Sequence, residues 1–599
     1  MTLDALASRS DPSWVTQLLP DPEWEEHVPN RTSRQVKSGH FVPVKPTPLP
    51  NPQLISFSKE LASELHLDPN VCKEDSRFAR FFSGDTSALT EEGFKHSWAT
   101  PYALAIYGRD FTDNCPFGNG NGYGDGRAIS IGEVSLPTGH RWEFQLKGAG
   151  PTPFCRGADG RAVLRSSIRE FLVSEAMFHL GVSTTRALSL TVSGTETVKR
   201  PWYNPQNVRS LPPDAERQLA AMPADYRQYL MAQIKAQLQQ PNEMVTNPAA
   251  MTCRVSPSFI RVGHLQLFER RARQDSQRVG ELQQIVEHTL FREFPHLDGA
   301  SLQEKILQML RECSERMSRL TAQWIRVGFC QGNFNSDNCL VAGRTMDYGP
   351  FGFIEKFEPL WNMWSGGGEH YGFLNQPAAG AKNFTSLCKA VQPLLDLSGQ
   401  SQAAEIADQH EEKAQEALMR VWGEKLGLQT PLSSPSANSL IQNLLEIMSL
   451  LQADYTLFFR GLSYLSESLL ESGSCSEEMI DSLADSFYKP LTPASREGLK
   501  RWLENWILCM QDQGKEQTTP KQIAQNMQSV NPKYVPREWM LVQAYSEAAK
   551  GDYTALLELQ NIFLTPYAEL SQETHLKFFR KAPLEIYEGV GLGGTAFMT

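Results

Sequence analysis

Apolar and polar residues alternate with a period of two along Arg141 to Leu146, where Trp142, Phe144 and Leu146 turn inward and Lys147 closes the run. Just before it, Ala128, Ile129, Ile131 and Val134 predict a partner strand, with a turn at Pro137-Thr138-Gly139. Elsewhere the period becomes helical. Ile168, Phe171, Leu172, Met177 and Leu180 predict a helix that starts at Ser166 or its neighbour and carries Glu170 and Glu175. Leu302, Ile306, Met309, Leu310, Cys313, Met317, Leu320 and Trp324 define a long amphipathic helix over 301–327. A short helix is expected around Phe57–Leu65, with Leu61 and Leu65 on one face, and a further strand over Thr185–Ser193. From about Phe384 the pattern is almost entirely helical, with polar linkers near 397–402 and 430–437.

Two regions break this regularity. Residues 1–100 are rich in proline, with an extended segment at Val42–Pro52; they read as an extension packed on the main body, its first thirty residues a partly disordered leader. Residues 200–251 are rich in Gln and Pro, with a helical middle over 216–238, and read as an insertion.

Composition excludes several classes. The 599 residues carry 57 basic and 68 acidic side chains, a net charge of −11, which argues against broad nucleic-acid binding and against an anionic membrane surface. No apolar run reaches the length of a membrane span. Ten cysteines are scattered without C-x-x-C spacing or a Cys/His cluster, the pattern of a reducing compartment. The first residues lack a signal-peptide core, and Asp4 and Asp11 against Arg9 suit a transit peptide poorly. A cytoplasmic monomer is expected, with an organellar location left open.

Candidate chemistry concentrates in Gln331–Gly352. Asp337, Asn338 and Asp347 fall there around an apolar run, Cys339-Leu340-Val341, expected to be a short buried strand followed by a turn at Gly343. An Asn oxygen and a carboxylate are hard ligands suited to Mg²⁺ on nucleotide phosphates. Protein kinases build their metal site from such a pair, but they place a base Asp five residues before the Asn, and here that position is Asn333. The order Gly-rich segment, strand, hairpin, strand, Lys is that of a kinase N-lobe. The glycines of GNGNGYGDGR at 118–127 do not open a helix, which disfavours a dinucleotide fingerprint, and no Walker A sequence occurs. A kinase pairs its strand Lys with a helix Glu, so Lys147 and Glu170 are the candidate pair, although spacing does not choose between Glu170 and Glu175. Arg254 and Arg261 flank an apolar segment and can reach one polyphosphate, but the residues alone favour ordinary surface arginines.

These segments resemble the selenoprotein O family, pseudokinase-like protein adenylyltransferases. The resemblance rests on GDGRA at 124–128, QLKGAGPTP at 145–153, DGRAVLRSSIREFLVSEAM at 159–177, RVSPSFIR at 254–261, SDN at 336–338 and DYGPFGF at 347–353, with weaker similarity at 454–463 and 531–540. It implies an α+β, protein-kinase-like two-lobed fold with an N-terminal extension (1–100), an N-lobe (101–285), a C-lobe (286–400) and a large helical C-terminal region (401–599). It further implies AMP transfer from ATP, bound in a flipped orientation, to Ser, Thr or Tyr hydroxyls of protein substrates. Carried over by motif, Gly124, Gly126, Arg127, Lys147, Asp159, Gly160, Arg254, Arg261 and Asp347 would bind nucleotide, and Glu170 would orient Lys147. Asp337 would accept the proton, and Asn338 and Asp347 would hold Mg²⁺ or Mn²⁺. The sequence departs from the family in the stretch 109–123 before GDGR and in the loop 361–373. It also has no cysteine near its C-terminus, so thiol control there is not expected. A phosphotransferase with a displaced base and a silent ATP-binding scaffold are the competing expectations.

Overall fold

The structure, a computed structural model, describes residues 1–106, 108–112, 118, 123–124, 126–202, 219, 222, 243–363, 368–428, 435–512 and 519–583. Its centre is an eight-stranded antiparallel sheet. The order runs Val42–Pro43, Trp98–Ala99, Ala128–Ser135, Arg141–Lys147, Glu243–Ser256, Arg186–Trp202, Pro52–Phe57, with Ala162–Val163 pairing beside Glu243–Ser256. The expected hairpin is present, with Ala128 opposite Lys147 and Ser135 opposite Arg141. Pro43 and Pro52 stand in the two outermost strands, where a residue without an N–H breaks no internal ladder.

The period of two decides what each face meets. Phe144 and Leu146 point into a core made with Leu61, Phe78, Phe81 and Phe82 of the first hundred residues. Glu143, Gln145 and Lys147 therefore point to the other face, where Lys147 meets Glu170 of the helix Leu164–His179. That helix is buried from Leu164 to Met177, because the C-terminal helices Glu538–Ala548 and Thr554–Phe563 cover its far side. The long helix Leu302–Val327 starts in a capping box of Ser301 and Glu304 and ends at left-handed Gly328. It feeds a two-stranded ribbon, Phe329–Gln331 against Phe351–Phe353, which frames the acidic loop between them.

Helices fill most of the chain from Gln376 to Phe578, and those around Trp422, Leu444, Phe458, Trp502 and Trp506 share a core of their own. The molecule is thus a mixed α/β structure with a large helical C-terminal region. No helix among the described residues is long and apolar enough to cross a membrane. No disulfide joins the nine described cysteines, and all but Cys509 are buried.

Three expectations are corrected. The first thirty residues are no leader: Leu3, Leu6 and Trp14 are buried, and Glu133 accepts from Ser13 Oγ at 3.0 Å and from the Trp14 N–H at 3.1 Å. The stretch 243–251 is not insertion but strand, registered from Trp202 opposite Glu243 to Thr191 opposite Met251; the helix expected over 216–238 lies outside the described residues. Cys339–Val341 is buried but forms a single bridge, Leu340 with Arg261, rather than a strand.

The clasp on the N-terminal segment contains a titratable group. Glu133 and Glu143 are cross-strand partners, both buried, with the cation Arg292 between them. Burial, reinforced by the Glu133 charge and only partly offset by Arg292, pushes Glu143 up to about 7. The folded protein holds this proton more tightly than the unfolded chain, whose ordinary value is 4.5, so stability falls as pH rises from there to about 7. In Glu143→Gln that loss is expected to vanish, narrowing the stability gap between pH 5 and pH 8 by up to about 3 kcal/mol in urea unfolding. An unchanged gap would show that another group titrates.

Candidate active site

Lys147 ends one strand, and Gln145 precedes it on the same face. The neighbouring strand sets Arg254 opposite Gln145 and Thr252 opposite Lys147. Two cationic side chains therefore emerge side by side beneath the helix Leu164–His179. The helix supplies Glu170, only 1% exposed, whose carboxylate bonds both Lys147 Nζ and Arg254 Nε. Asp347 completes the group from the acidic loop: its Oδ1 accepts from Lys147 Nζ and from Arg254 Nη2, each at 2.9 Å. Gln145 Oε1 takes a further Arg254 proton at 3.2 Å.

Two cations and two anions thus neutralise each other in a largely dry site. Burial pushes the pKa of both carboxyls up, but the cations more than offset it. Arg254 and Lys147 hold Glu170 below the usual range; Lys147 and Arg254, with a contribution from Arg127, hold Asp347 far below it. Asp347 stands at a left-handed φ of 61° and its side chain is 23% exposed, the least buried of the four. Glu175 is absent from this group. Arg186 clamps it at 2.8 and 2.7 Å and the Ala187 N–H bonds it at 2.9 Å, so it braces the helix against its neighbouring strand.

The second part of the site is the turn Ser336–Asn338. Asn335 caps it, its Oδ1 accepting from the Asp337 and Asn338 N–H groups at 3.0 and 3.2 Å. Asn338 Nδ2 donates to the Asn333 carbonyl at 2.8 Å, which leaves Asn338 Oδ1 as the atom to offer a ligand. Asp337 is buried against the first turn of the helix Val262–Gln274, where a Cβ added to Gly263 would lie 2.1 Å from Asp337 Oδ1. Burial of Tyr371, with the nearby Asp337 charge, pushes its phenol up.

Backbone bonds tie the loop to the Arg261 segment, Val262 N–H to Cys339 O at 2.9 Å and Val341 N–H to Ile260 O at 3.0 Å. Arg261 is 1% exposed, with its guanidinium 4.4 Å from the centre of the Tyr102 ring. Arg254 and Arg261 are therefore not surface residues, because carboxylates and a ring from distant parts of the chain cover them.

The glycines serve close approach. A Cβ on Gly124 would meet the Phe154 ring at 2.6 Å, and one on Gly126 would meet Cys155 Cα at 2.6 Å, so these two glycines lie directly on the loop that follows Lys147. Arg127 O accepts the Gly148 N–H at 2.7 Å. Gly160, at φ 67°, closes that loop by accepting the Gly150 N–H at 3.1 Å. Asp159 stands apart from the ion cluster, paired with Arg200 at 2.6 Å and half exposed. Of the expected loop at 361–370, residues 364–367 lie outside the described residues.

A family model described as "Protein adenylyltransferase SelO" matches residues 26–209 and 225–563. The chain belongs to the SelO family. Membership makes it an enzyme of the nucleotidyltransferase class. Similar SelO-family relatives carry the name "Protein nucleotidyltransferase YdiU". That of Aromatoleum aromaticum is 35% identical over 567 residues, 93% of this chain and 94% of the relative. Those of Tolumonas auensis and Rhodopirellula baltica are 34% and 32% identical, covering 90% and 93% of both chains.

Within this candidate site, sequence reasoning overlooked three residues. Gln145 was within reach of it, since strand periodicity puts residue 145 on the Lys147 face. Asn335 carries the ordinary signature of a cap. Nothing in the sequence marks Gly263, whose role exists only because Asp337 folds back onto it.

Proposed function

We propose that this chain transfers AMP from ATP to Ser, Thr or Tyr hydroxyls of protein substrates, on a kinase-like two-lobed scaffold that works as a cytoplasmic monomer. The observation that supports this most is the buried group Lys147–Glu170–Arg254–Asp347, in which Glu170 aims two cations at one place. ATP phosphates would take over the bonds that Asp347 Oδ1 now makes, with Lys147 and Arg254 turning to phosphate oxygens. Arg127 and Arg261 would add charge, and Gly124, Gly126, Asp159 and Gly160 would shape the loops beside the nucleotide.

The substrate hydroxyl would attack the α-phosphorus and give its proton to Asp337. The bond between the α-phosphorus and the bridging oxygen would break, and pyrophosphate would leave with the electron pair. Lys147 and Arg254 would stabilise the charge that develops on it.

The donor set fits a divalent cation such as Mg²⁺ or Mn²⁺. Asn338 Oδ1 and Asp347 are hard oxygens, and Mg²⁺ needs few protein ligands. No cluster of three or more His, Cys, Asp or Glu side chains competes for it among the described residues. Bound there, the metal would neutralise phosphate charge.

Two ATP samples, labelled on the α- or the γ-phosphate, test the reading with the purified protein and a cell extract. Protein-bound label from α alone is the expected result. Label from γ alone would make the reaction phosphoryl transfer, and label from neither, with ATP still bound, would leave a scaffold.

A further inference from the structure

Arg165, at the start of the helix Leu164–His179, is only 6% exposed, yet no Asp or Glu pairs with it among the described residues. Its Nη1 donates to Asn247 Oδ1 at 2.7 Å, and its guanidinium lies 4.4 Å from the centre of the Trp202 ring. Its Nε is buried with no hydrogen-bond acceptor among the described residues. A buried charge without a counter-charge is costly, so the arrangement calls for an anion. Burial pushes the guanidinium down to about 10, as expected of a cation held without one.

Other arginines of this chain show what the unused edge takes. Arg186 presents Nε and Nη2 to Glu175 at 2.8 and 2.7 Å, and Arg161 presents the same pair to Glu196, each at 2.9 Å. At Arg165 that edge has no such partner. Arg165 lines a cavity of about 150 Å³ between its own helix, the hairpin that carries Trp202 and Asn247, and the C-terminal helix that carries Tyr545. The Tyr545 hydroxyl is buried there and also lacks a partner. The rest of the lining is mostly apolar, Leu164 and Pro248 included. A cavity of about this volume accepts a molecule the size of benzene.

We propose that this cavity binds a small organic carboxylate, its oxygens on Nε and Nη2 of Arg165 and its hydrocarbon part against Leu164 and Pro248. A planar carboxylate matches the fork of the guanidinium, and the apolar walls favour a carbon body over a fully hydrated inorganic ion. The site is separate from the Lys147 cluster. An occupant would join the helix of Glu170, the strand of Arg254 and the helix Glu538–Ala548.

Calorimetric titration of the full chain with sodium benzoate, against sodium chloride at matched ionic strength, tests this. Saturable binding is expected for the wild type and for Lys147→Ala. Arg165→Lys, which keeps the charge but loses the fork, should bind at least tenfold more weakly. Ala549→Trp, at an exposed position lining the cavity, should block binding without disturbing the core, and it decides the matter if Arg165→Lys does not fold. Absence of saturable binding in the wild type would overturn the proposal, as would binding that survives Ala549→Trp or is lost in Lys147→Ala. A parallel titration with inorganic phosphate that saturates through Arg165 while benzoate does not would overturn the assignment to carboxylates.

Discussion

Asp347→Ala is expected to reduce AMP transfer by about 10³-fold or more, the scale on which a site loses a ligand of the metal that neutralises phosphate charge. The same change acts on the fold. Asp347 Oδ1 now receives both Lys147 and Arg254, so its removal leaves two buried cations facing Glu170 alone. Breaking a fully buried pair costs about 3–5 kcal/mol. The partial exposure of Asp347 lets water recover part of that, so a loss of about 1–3 kcal/mol is expected. Label transfer from α-labelled ATP reads the first effect and urea unfolding the second. Asp347→Asn keeps the shape and removes the charge, so it should lose transfer as fully. Retention of transfer within tenfold in either variant would remove Asp347 from the chemistry.

The lowered pKa of Asp347 and Glu170 gives this cluster a direction with pH. Both carboxyls lie below their ordinary values in the folded protein, so the stability they contribute is present at neutral pH and is lost as pH falls through those lowered values. Acid therefore removes the stability this cluster contributes, whereas it preserves the contribution of Glu143.

What the sequence made legible follows from locality. The hairpin from Ala128 to Lys147 and the helix Leu302–Val327 are written in short-range periodicity, a turn and a capping box. Family motifs pointed to most of the candidate site residues. What stayed hidden depends on partners far along the chain. Glu170 and Glu175 are equivalent by spacing; only the position of Arg186, which takes Glu175, leaves Glu170 for Lys147. Arg254 and Arg261 read as surface residues because buried arginine is rare, and their covers, Glu170, Asp347 and Tyr102, are 84 to 159 positions away or spread between those limits. The strand through 243–251 was obscured by Pro248, which sits where the register shifts against Thr197 and so costs little of the ladder. The first thirty residues looked unstructured because their few apolar residues, Leu3, Leu6 and Trp14, are set among polar ones, and their anchor is the distant carboxylate of Glu133.

Gly263→Ala is the substitution that separates catalysis from folding. Gly263 is the second residue of the helix Val262–Gln274, where alanine is intrinsically better than glycine by roughly 1 kcal/mol. Propensity alone thus predicts a slightly more stable protein. The added Cβ, however, would lie 2.1 Å from Asp337 Oδ1 and 2.9 Å from the Ala103 carbonyl oxygen. A side-chain carboxylate yields more easily than backbone, so Asp337 should swing away from the position the glycine now permits, while the Ala103 contact offsets the gain in helix propensity. If Asp337 accepts the substrate proton, a displacement of about 1 Å should lower kcat by about 10²-fold, a loss far larger than any change in ATP affinity. In an Asp337→Asn background the same substitution should cause no further loss, because the group it displaces is already inert. Unaltered kcat in Gly263→Ala would remove Asp337 as proton acceptor, whereas loss of ATP binding would mean that the helix, not the carboxylate, gives way.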